Sequence, residues 1–196
     1  MNNRFRCFIL LLLISFMIFI ESNFTHVQDF NESELNGEFL EENNYFKITY
    51  NGEAKYYYVI YNKEKKIVKE EEQYGTIPVI TYIDENTIQI LISGGVNTFF
   101  CTYYNINDDK FSKQYESPVA IKYGKVAYFD YSEYPYKFVV SDIFDKDLLF
   151  KEFDLDVSFV VSPITKAEFV DEYTLYIVYM SGEEYEEKTV ILDLNK

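Results

Sequence analysis

Cysteine is scarce in this chain, and its scarcity limits how the fold is held together. The 196 residues include two cysteines, Cys7 and Cys101. Cys7 lies in an apolar N-terminal run, so one thiol remains for the rest of the chain and an internal disulfide there is excluded. We expect Cys101 to be a small buried hydrophobe rather than a nucleophile, because its strand offers no basic or histidine neighbour to activate it. Packing of apolar side chains therefore has to stabilise the fold.

Histidine is scarcer still, which disfavours the common nucleophilic mechanisms. The single histidine, His26, follows the N-terminal apolar run, and a Ser-His-Asp or Cys-His arrangement would depend on it. Paired carboxylates are the remaining catalytic candidates, since they hydrolyse glycosides when their pKa values differ. The two acidic runs are Glu183, Glu184, Glu186 and Glu187, and Asp142, Asp145 and Asp147. Such runs usually coat a hairpin, so a carbohydrate-active hydrolase is the alternative function and not the leading one.

The segment Asn105–Asp109 carries oxygen ligands at alternate positions, as a calcium loop does. It lacks the glycine and the distant glutamate of a dedicated calcium site. We therefore predict a hairpin turn at this segment. We predict no metal site and no cofactor for the chain.

Basic residues are few, and this bears on the class of partner. Lysine and arginine together number 18 against 33 aspartates and glutamates, giving a formal net charge of −15. Nucleic acid and anionic lipid both require a basic face, so neither is an expected partner. An acidic surface is also a common solubility device, so the charge alone does not identify a cationic ligand.

Long apolar runs are absent except near the N-terminus. Arg4 and Arg6 precede the uncharged run Cys7–Ile20, which is shorter than the roughly twenty residues of a typical membrane span. This pattern predicts a signal peptide or an N-terminal signal anchor over residues 1–22. In either case the remaining residues are expected to be exported, so that the protein is secreted or anchored on the outer face of the cytoplasmic membrane. Contact with the membrane is expected only through this N-terminal segment.

The chain has four prolines, and three of them open the same phrase at intervals of about forty residues. These phrases are Ile77-Pro78-Val79, Ser117-Pro118-Val119 and Ser162-Pro163-Ile164. Segments 82–90 and 169–177, which follow the first and third phrases, share Asp, Glu, Thr and Ile at equivalent positions. Proline is tolerated at the start of a strand because it lacks only a backbone donor. The phrases therefore mark an internal repeat.

Other features define the contents of each repeat. An aromatic or aliphatic residue followed by Asn or Asp recurs at positions 61–62, 104–105, 144–145 and 192–193, and a lysine-bearing strand around Lys69, Lys113 and Lys151 follows the first three. The intervening segments are rich in β-branched and aromatic residues, which favour strands. Each unit is thus predicted to contain four strands. The copies run over 38–77, 78–117, 118–162 and 163–196, and the last copy lacks its outer strand.

A repeated four-stranded unit of this length resembles a blade of a β-propeller. The resemblance covers residues 38–196 and implies an antiparallel all-β domain with about four propeller-like blades, the alternatives being a two-sheet β-sandwich or an open stack of sheets. No Trp-Asp dipeptide, kelch glycine pair or calcium-binding repeat identifies a propeller family. Residues 23–37 are expected to be a linker or a closing strand. In the second case Phe24–Phe30 would cover the exposed edge of the last copy, since natural proteins protect such edges.

Tyrosine is abundant, with 20 residues, and gives the main indication of a binding surface. Tyr134 and Tyr136 lie in a loop between the second and third strands of their unit. Asn97 and Glu184 lie in the corresponding loops of two other units, and all four are the predicted binding residues. We therefore expect a non-enzymatic binding module outside the cytoplasm of a bacterium, engaging a protein or a cell-envelope polymer. A truncated propeller that needs a second chain is a further possibility, so the oligomeric state is left open.

Overall fold

The computed structural model describes residues 40–96, 98–132, 136–145, 147–157 and 163–195. The predicted signal or anchor segment (1–22) and the predicted linker or closing strand (23–37) lie outside this range. Two predicted binding residues, Asn97 and Tyr134, also lie outside it. Within the described ranges, no helix has the length and apolar character needed to cross a membrane.

The described residues form sixteen antiparallel strands in four sheets, which confirms the predicted all-β class. The first sheet contains β1 (Glu41–Glu42), β2 (Phe46–Tyr50), β3 (Lys55–Tyr61) and β4 (Ile67–Tyr74). The second contains β5 (Val79–Tyr82), β6 (Thr87–Gly95), β7 (Thr98–Asn105), β8 (Lys110–Phe111) and β9 (Tyr115–Glu116). The third contains β10 (Ala120–Lys122), β11 (Lys125–Asp130), β12 (Lys137–Asp142) and β13 (Leu149–Phe153). The fourth contains β14 (Ile164–Asp171), β15 (Thr174–Ser181) and β16 (Glu186–Asp193).

Each sheet is built from strands that are consecutive in the sequence. Strands that are neighbours in the chain pair with each other, except that β9 pairs with β7, so short connections join the strands within each sheet. All four sheets fall within the predicted copies 38–77, 78–117, 118–162 and 163–196. The fourth sheet has three strands among the described residues, as predicted from its missing outer strand.

The outer strand of the second sheet differs from the prediction. Lys113 was expected within it, but the strand is interrupted there, and β8 and β9 pair separately with β7. Ser112 holds the interruption in place, since its amide donates to the Tyr103 carbonyl at 2.8 Å and its Oγ accepts from the Tyr103 amide at 2.9 Å. Such an irregularity removes the following side chains from the regular alternation of the ladder. Lys113 and Gln114 therefore lie outside the strands.

The shared Asp-Glu motif of the repeats forms the turn between the first two strands of its sheets. Asp84 Oδ1 accepts a hydrogen bond from the Asn86 amide at 2.8 Å. Asp171 Oδ1 accepts the equivalent bond from the Tyr173 amide, also at 2.8 Å. An Asp side chain bonded to the backbone two residues later stabilises a tight turn. The sequence identity between the copies thus has a local structural cause.

Three clusters of buried side chains join the four sheets. The first and second sheets share Phe46, Ile48, Tyr58, Ile60, Ile80, Ile88, Ile90, Tyr104 and Ile106. The second and third share Cys101, Tyr103, Tyr115, Val126, Tyr128, Val139 and Ile143. The third and fourth share Ala127, Phe129, Phe138, Val140, Phe169, Leu175, Ile177, Tyr179, Leu192 and Leu194. The sheets therefore pack one upon the next in chain order.

Side-chain alternation explains how one strand contributes to two clusters. Tyr103 belongs to the cluster with the third sheet, whereas the next residue, Tyr104, belongs to the cluster with the first. In the third sheet, Val139 likewise belongs to the cluster shared with the second sheet, and Val140 belongs to the cluster shared with the fourth. Successive residues of a strand point to opposite faces, so both inner sheets are buried on two sides.

This succession of four sheets has more layers than a two-sheet sandwich. Within the described residues no buried cluster joins the fourth sheet to the first, so they show a succession of sheets and not a closed ring.

A buried lysine reinforces the contact between the third and fourth sheets. Lys125 Nζ lies 4.7 Å from the ring centroid of Phe150 and 5.6 Å from that of Tyr173. It also lies 3.6 Å from Glu172 Oε1. A buried ammonium needs such compensation, because removing it from water is costly. Lys125 thereby links β11 to the first hairpin of the fourth sheet.

Alanine substitution of two isoleucines in the fourth sheet tests which face forms the core. Ile177 on β15 is 0% exposed, whereas Ile191 on the adjacent β16 is 67% exposed. Ile177→Ala removes buried methyl groups and is expected to lower the free energy of unfolding by about 2–5 kcal/mol. Ile191→Ala is expected to cost less than about 1 kcal/mol. Denaturant unfolding of the full chain measures both free energies. Equal losses of stability in the two variants would contradict the burial of Ile177 and the exposure of Ile191.

Candidate functional site

The hairpins between the second and third strands lie at one end of the second, third and fourth sheets. Glu116 pairs with Phe100, next to the β6–β7 hairpin, and shares a pocket with Tyr131 of the β11–β12 connection. Between the third and fourth sheets, Asp154 pairs with Lys137 at the start of β12. Two residues later, Asp156 Oδ2 accepts a hydrogen bond from Ser181 Oγ at 2.9 Å, next to the β15–β16 hairpin. We call this the hairpin end.

A pocket of about 310 Å³ opens at the hairpin end between the second and third sheets. It lies between the interrupted outer strand of the second sheet and the last residues of β11. Its lining consists of Lys113, Gln114, Tyr115, Glu116, Tyr128, Phe129, Asp130, Tyr131 and Ser132. We call it the Tyr131 pocket. Aromatic rings and charged groups of both signs thus face one cavity.

Two exposed tyrosines form an aromatic corner at the pocket. Tyr131 and Tyr136 are 44% and 45% exposed, and their ring centroids lie 5.1 Å apart at an interplanar angle of 73°. Tyr131 is supported from below by buried Phe129, with the centroids 6.0 Å apart. Burial raises the pKa of the Tyr131 phenol above its usual value, and the nearby Glu116 charge raises it further. The phenol is therefore neutral at physiological pH, and much of the ring surface is open to a ligand.

Lys113 and two tyrosines form the floor of the pocket. Lys113 Nζ lies 4.5 Å from the ring centroid of Tyr128 and 5.0 Å from that of Tyr115. It donates a hydrogen bond to the Tyr128 hydroxyl at 2.8 Å. The Tyr115 hydroxyl in turn donates to the Ile143 carbonyl at 2.9 Å. Each of these groups is held by a neighbour, so the floor is fixed before a ligand binds.

The two carboxylates of the pocket differ in their surroundings. Asp130 Oδ1 accepts a hydrogen bond from the Ser132 amide at 2.9 Å. Hydrogen bonds from Ser132 hold the pKa of Asp130 below its usual value, and Lys113 adds a smaller electrostatic contribution. Glu116 is exposed, and it has no hydrogen-bond or ion-pair partner for its carboxylate among the residues that the structure describes. Glu116 is thus the acidic group of the pocket that is available to a ligand.

The predicted binding residues are only partly brought together. Tyr136 belongs to the aromatic corner, whereas Glu184 is exposed in the β15–β16 hairpin and does not line the pocket. Asn97 and Tyr134 lie outside the described residues, so their roles stay predictions. Sequence reasoning identified the loop that contains Tyr131 but did not select this residue. It also missed Lys113, Glu116 and Asp130, because the pocket forms only when two sheets pack together.

The predicted acidic run Asp142, Asp145 and Asp147 is used to shape a turn. Asp142 Oδ1 accepts hydrogen bonds from the amides of Phe144 at 2.7 Å and Asp145 at 2.8 Å. Asp145 Oδ1 accepts another from the Asp147 amide at 3.1 Å. The glutamates of the second run are exposed in the β15–β16 hairpin and at the start of β16. Both runs thus coat or shape connections between strands.

The segment Asn105–Asp109 forms the predicted hairpin turn between β7 and β8. Asn105 Oδ1 accepts hydrogen bonds from the amides of Asn107 at 2.9 Å and Asp108 at 3.1 Å. Asp109 Oδ1 accepts one from the Tyr104 hydroxyl at 2.8 Å. These oxygen atoms are therefore engaged within the turn.

The prediction for Cys101 is confirmed. The residue is fully buried in the cluster between the second and third sheets. Burial raises the pKa of its thiol to about 11, although hydrogen bonds with Tyr103 and Gln89 act in the opposite direction. At neutral pH the side chain is therefore a protonated thiol within the core.

Comparison with known proteins leaves the chain without an assigned family. It matches no protein-family profile, and no curated protein shows significant similarity to it.

Proposed function

We propose that the protein is a non-enzymatic binding module of a secreted or membrane-anchored bacterial protein, and that it engages a protein or a cell-envelope polymer outside the cytoplasmic membrane. The observation that carries this proposal is the aromatic corner of Tyr131 and Tyr136 above a charged pocket. Exposed tyrosines supply large contact areas with a polar hydroxyl, which is why they are frequent in binding surfaces. The binding surface is then the hairpin end.

The support beneath the aromatic corner favours binding. Tyr131 packs on Phe129, which belongs to the core between the third and fourth sheets. The ring centroids of Phe129 and Phe138 in this core lie 5.3 Å apart. A side chain that is already held in place loses less conformational entropy when a ligand binds. The corner is therefore better suited to recognition than a tyrosine on an unsupported loop.

The surroundings of the aspartate carboxylates favour a binding module over the alternative function, a glycoside hydrolase. Such an enzyme generally needs one carboxyl group that stays protonated and a second that is ionised. In the Tyr131 pocket, the pKa of Asp130 is lowered, which is opposite to the shift that a general acid requires. The carboxylates of Asp142 and Asp145 accept backbone hydrogen bonds in a turn.

A pull-down from a bacterial envelope extract tests the proposal. The full chain is compared with the double variant Tyr131→Ala/Tyr136→Ala, which removes the aromatic corner. The matched control is Tyr82→Ala/Tyr123→Ala. These tyrosines are 45% and 48% exposed and lie at the hairpins between the first and second strands of the second and third sheets. We expect the full chain and the control to enrich the same component and the first variant to lose it. Enrichment that is equal in all three proteins would argue against the hairpin end.

We further propose that the four sheets are propeller-like blades. Within each sheet the strands follow one another in chain order, and a buried cluster joins each sheet to the next. Within the described residues β16 pairs on one side only, with β15, which leaves an edge for another strand.

A further inference from the structure

The charged groups of the Tyr131 pocket indicate which chemical class of ligand it selects. Its lining contains the carboxylates of Glu116 and Asp130 and the ammonium of Lys113. The acidic groups therefore outnumber the basic one. The whole chain is also negatively charged, with a formal net charge of −15.

Lys113 does not balance both carboxylates. Its ammonium lies over the rings of Tyr115 and Tyr128 and donates to the Tyr128 hydroxyl. Of the two carboxylates, Asp130 is the one whose pKa the charge of Lys113 lowers. Glu116 has no ion-pair partner in the described part of the chain. The negative charge that remains thus lies on Glu116.

The aromatic corner is suited to a cation for a second, independent reason. The face of a tyrosine ring carries negative electrostatic potential and attracts a lysine or arginine within about 6 Å of its centroid. Tyr131 and Tyr136 stand at 73° to each other, so their ring planes enclose a corner. Glu116 and Tyr131 line the same pocket. Two rings thus meet at a corner of a pocket that also contains a carboxylate, and the floor of this pocket already holds the ammonium of Lys113 against tyrosine rings.

We propose that the corner formed by Glu116, Tyr131 and Tyr136 binds a lysine or arginine side chain of a protein partner. This inference rests on the proposed function, and it names the class of partner that the hairpin end recognises. A neutral polysaccharide has no positive charge to pair with Glu116, so the charge distribution favours a basic protein segment. The partner's cation lies in the corner, against the exposed surfaces of the two rings, while the Glu116 carboxylate accepts its hydrogen bonds.

Titration of the full chain with defined probes, followed by NMR, tests the ligand class. The first probe is a short glycine-lysine peptide, the second is the same peptide with acetylated lysines, and the third is a neutral N-acetylglucosamine oligomer. We expect saturable binding of the lysine peptide, with shifts in the signals of residues 113–116 and 128–132. Acetylation removes the charge but keeps the length of the side chain, so it should abolish binding. The neutral oligomer should not compete with the lysine peptide.

Variants separate the site from general attraction to an acidic protein. Glu116→Gln and Glu72→Gln remove the same charge, but Glu72 is an exposed residue of β4 in the first sheet, away from the pocket lining. We expect Glu116→Gln to weaken binding of the lysine peptide about fivefold and Glu72→Gln to change it by less than about twofold. Tyr131→Phe keeps the ring and should retain the affinity within about twofold. Tyr131→Leu removes the ring and should weaken binding about fivefold.

Three results would overturn the inference. These are equal weakening by Glu116→Gln and Glu72→Gln, equal binding of the acetylated peptide, and binding of the neutral oligomer in place of the lysine peptide. If the Tyr131→Ala/Tyr136→Ala variant loses its envelope component while the lysine peptide does not bind the wild type, the proposed function stands and the ligand class is wrong. If the lysine peptide binds as expected but the envelope extract yields nothing, the ligand class stands and the proposed function fails.

Discussion

The contact between Tyr115 and Tyr128 joins the second sheet to the third and forms the floor of the candidate site. The two rings lie 5.1 Å apart in an edge-to-face arrangement, which is a favourable geometry for aromatic pairs. Lys113 lies over both rings, and the Tyr115 hydroxyl is bonded to the backbone after β12. The position of the aromatic corner depends on this contact, because Tyr131 follows β11 three residues after Tyr128. The packing of two sheets and the geometry of the pocket thus have a common origin.

The interruption between β8 and β9 explains why the pocket forms at this place. A continuous outer strand would keep Lys113 in the regular ladder. The Ser112 hydrogen bonds instead hold an irregular segment, after which Tyr115 points into the core and Glu116 lies at the hairpin end. Irregular strands often occur near functional sites because they redirect side chains. The same local departure from regularity therefore provides the floor of the pocket and one of its charged walls.

The repeat could be predicted from the sequence because proline and aspartate act locally. Pro78 and Pro163 each precede the first strand of a sheet, and Asp84 and Asp171 stabilise equivalent turns through bonds to residues two positions later. The site could be predicted only in part. Its aromatic loop was visible from composition, but the approach of Glu116 to Tyr131 depends on how two sheets pack and on where one strand is interrupted. No periodicity or motif of the chain encodes either of these.

A double-mutant cycle on Tyr115 and Tyr128 tests this account most directly. The free energies of unfolding of Tyr115→Leu, Tyr128→Leu and the double variant give the coupling between the rings without relying on either single loss. Contact across the second and third sheets predicts a coupling of about 0.5–1.5 kcal/mol. A coupling indistinguishable from zero would contradict the packing of these sheets and, with it, the floor of the Tyr131 pocket.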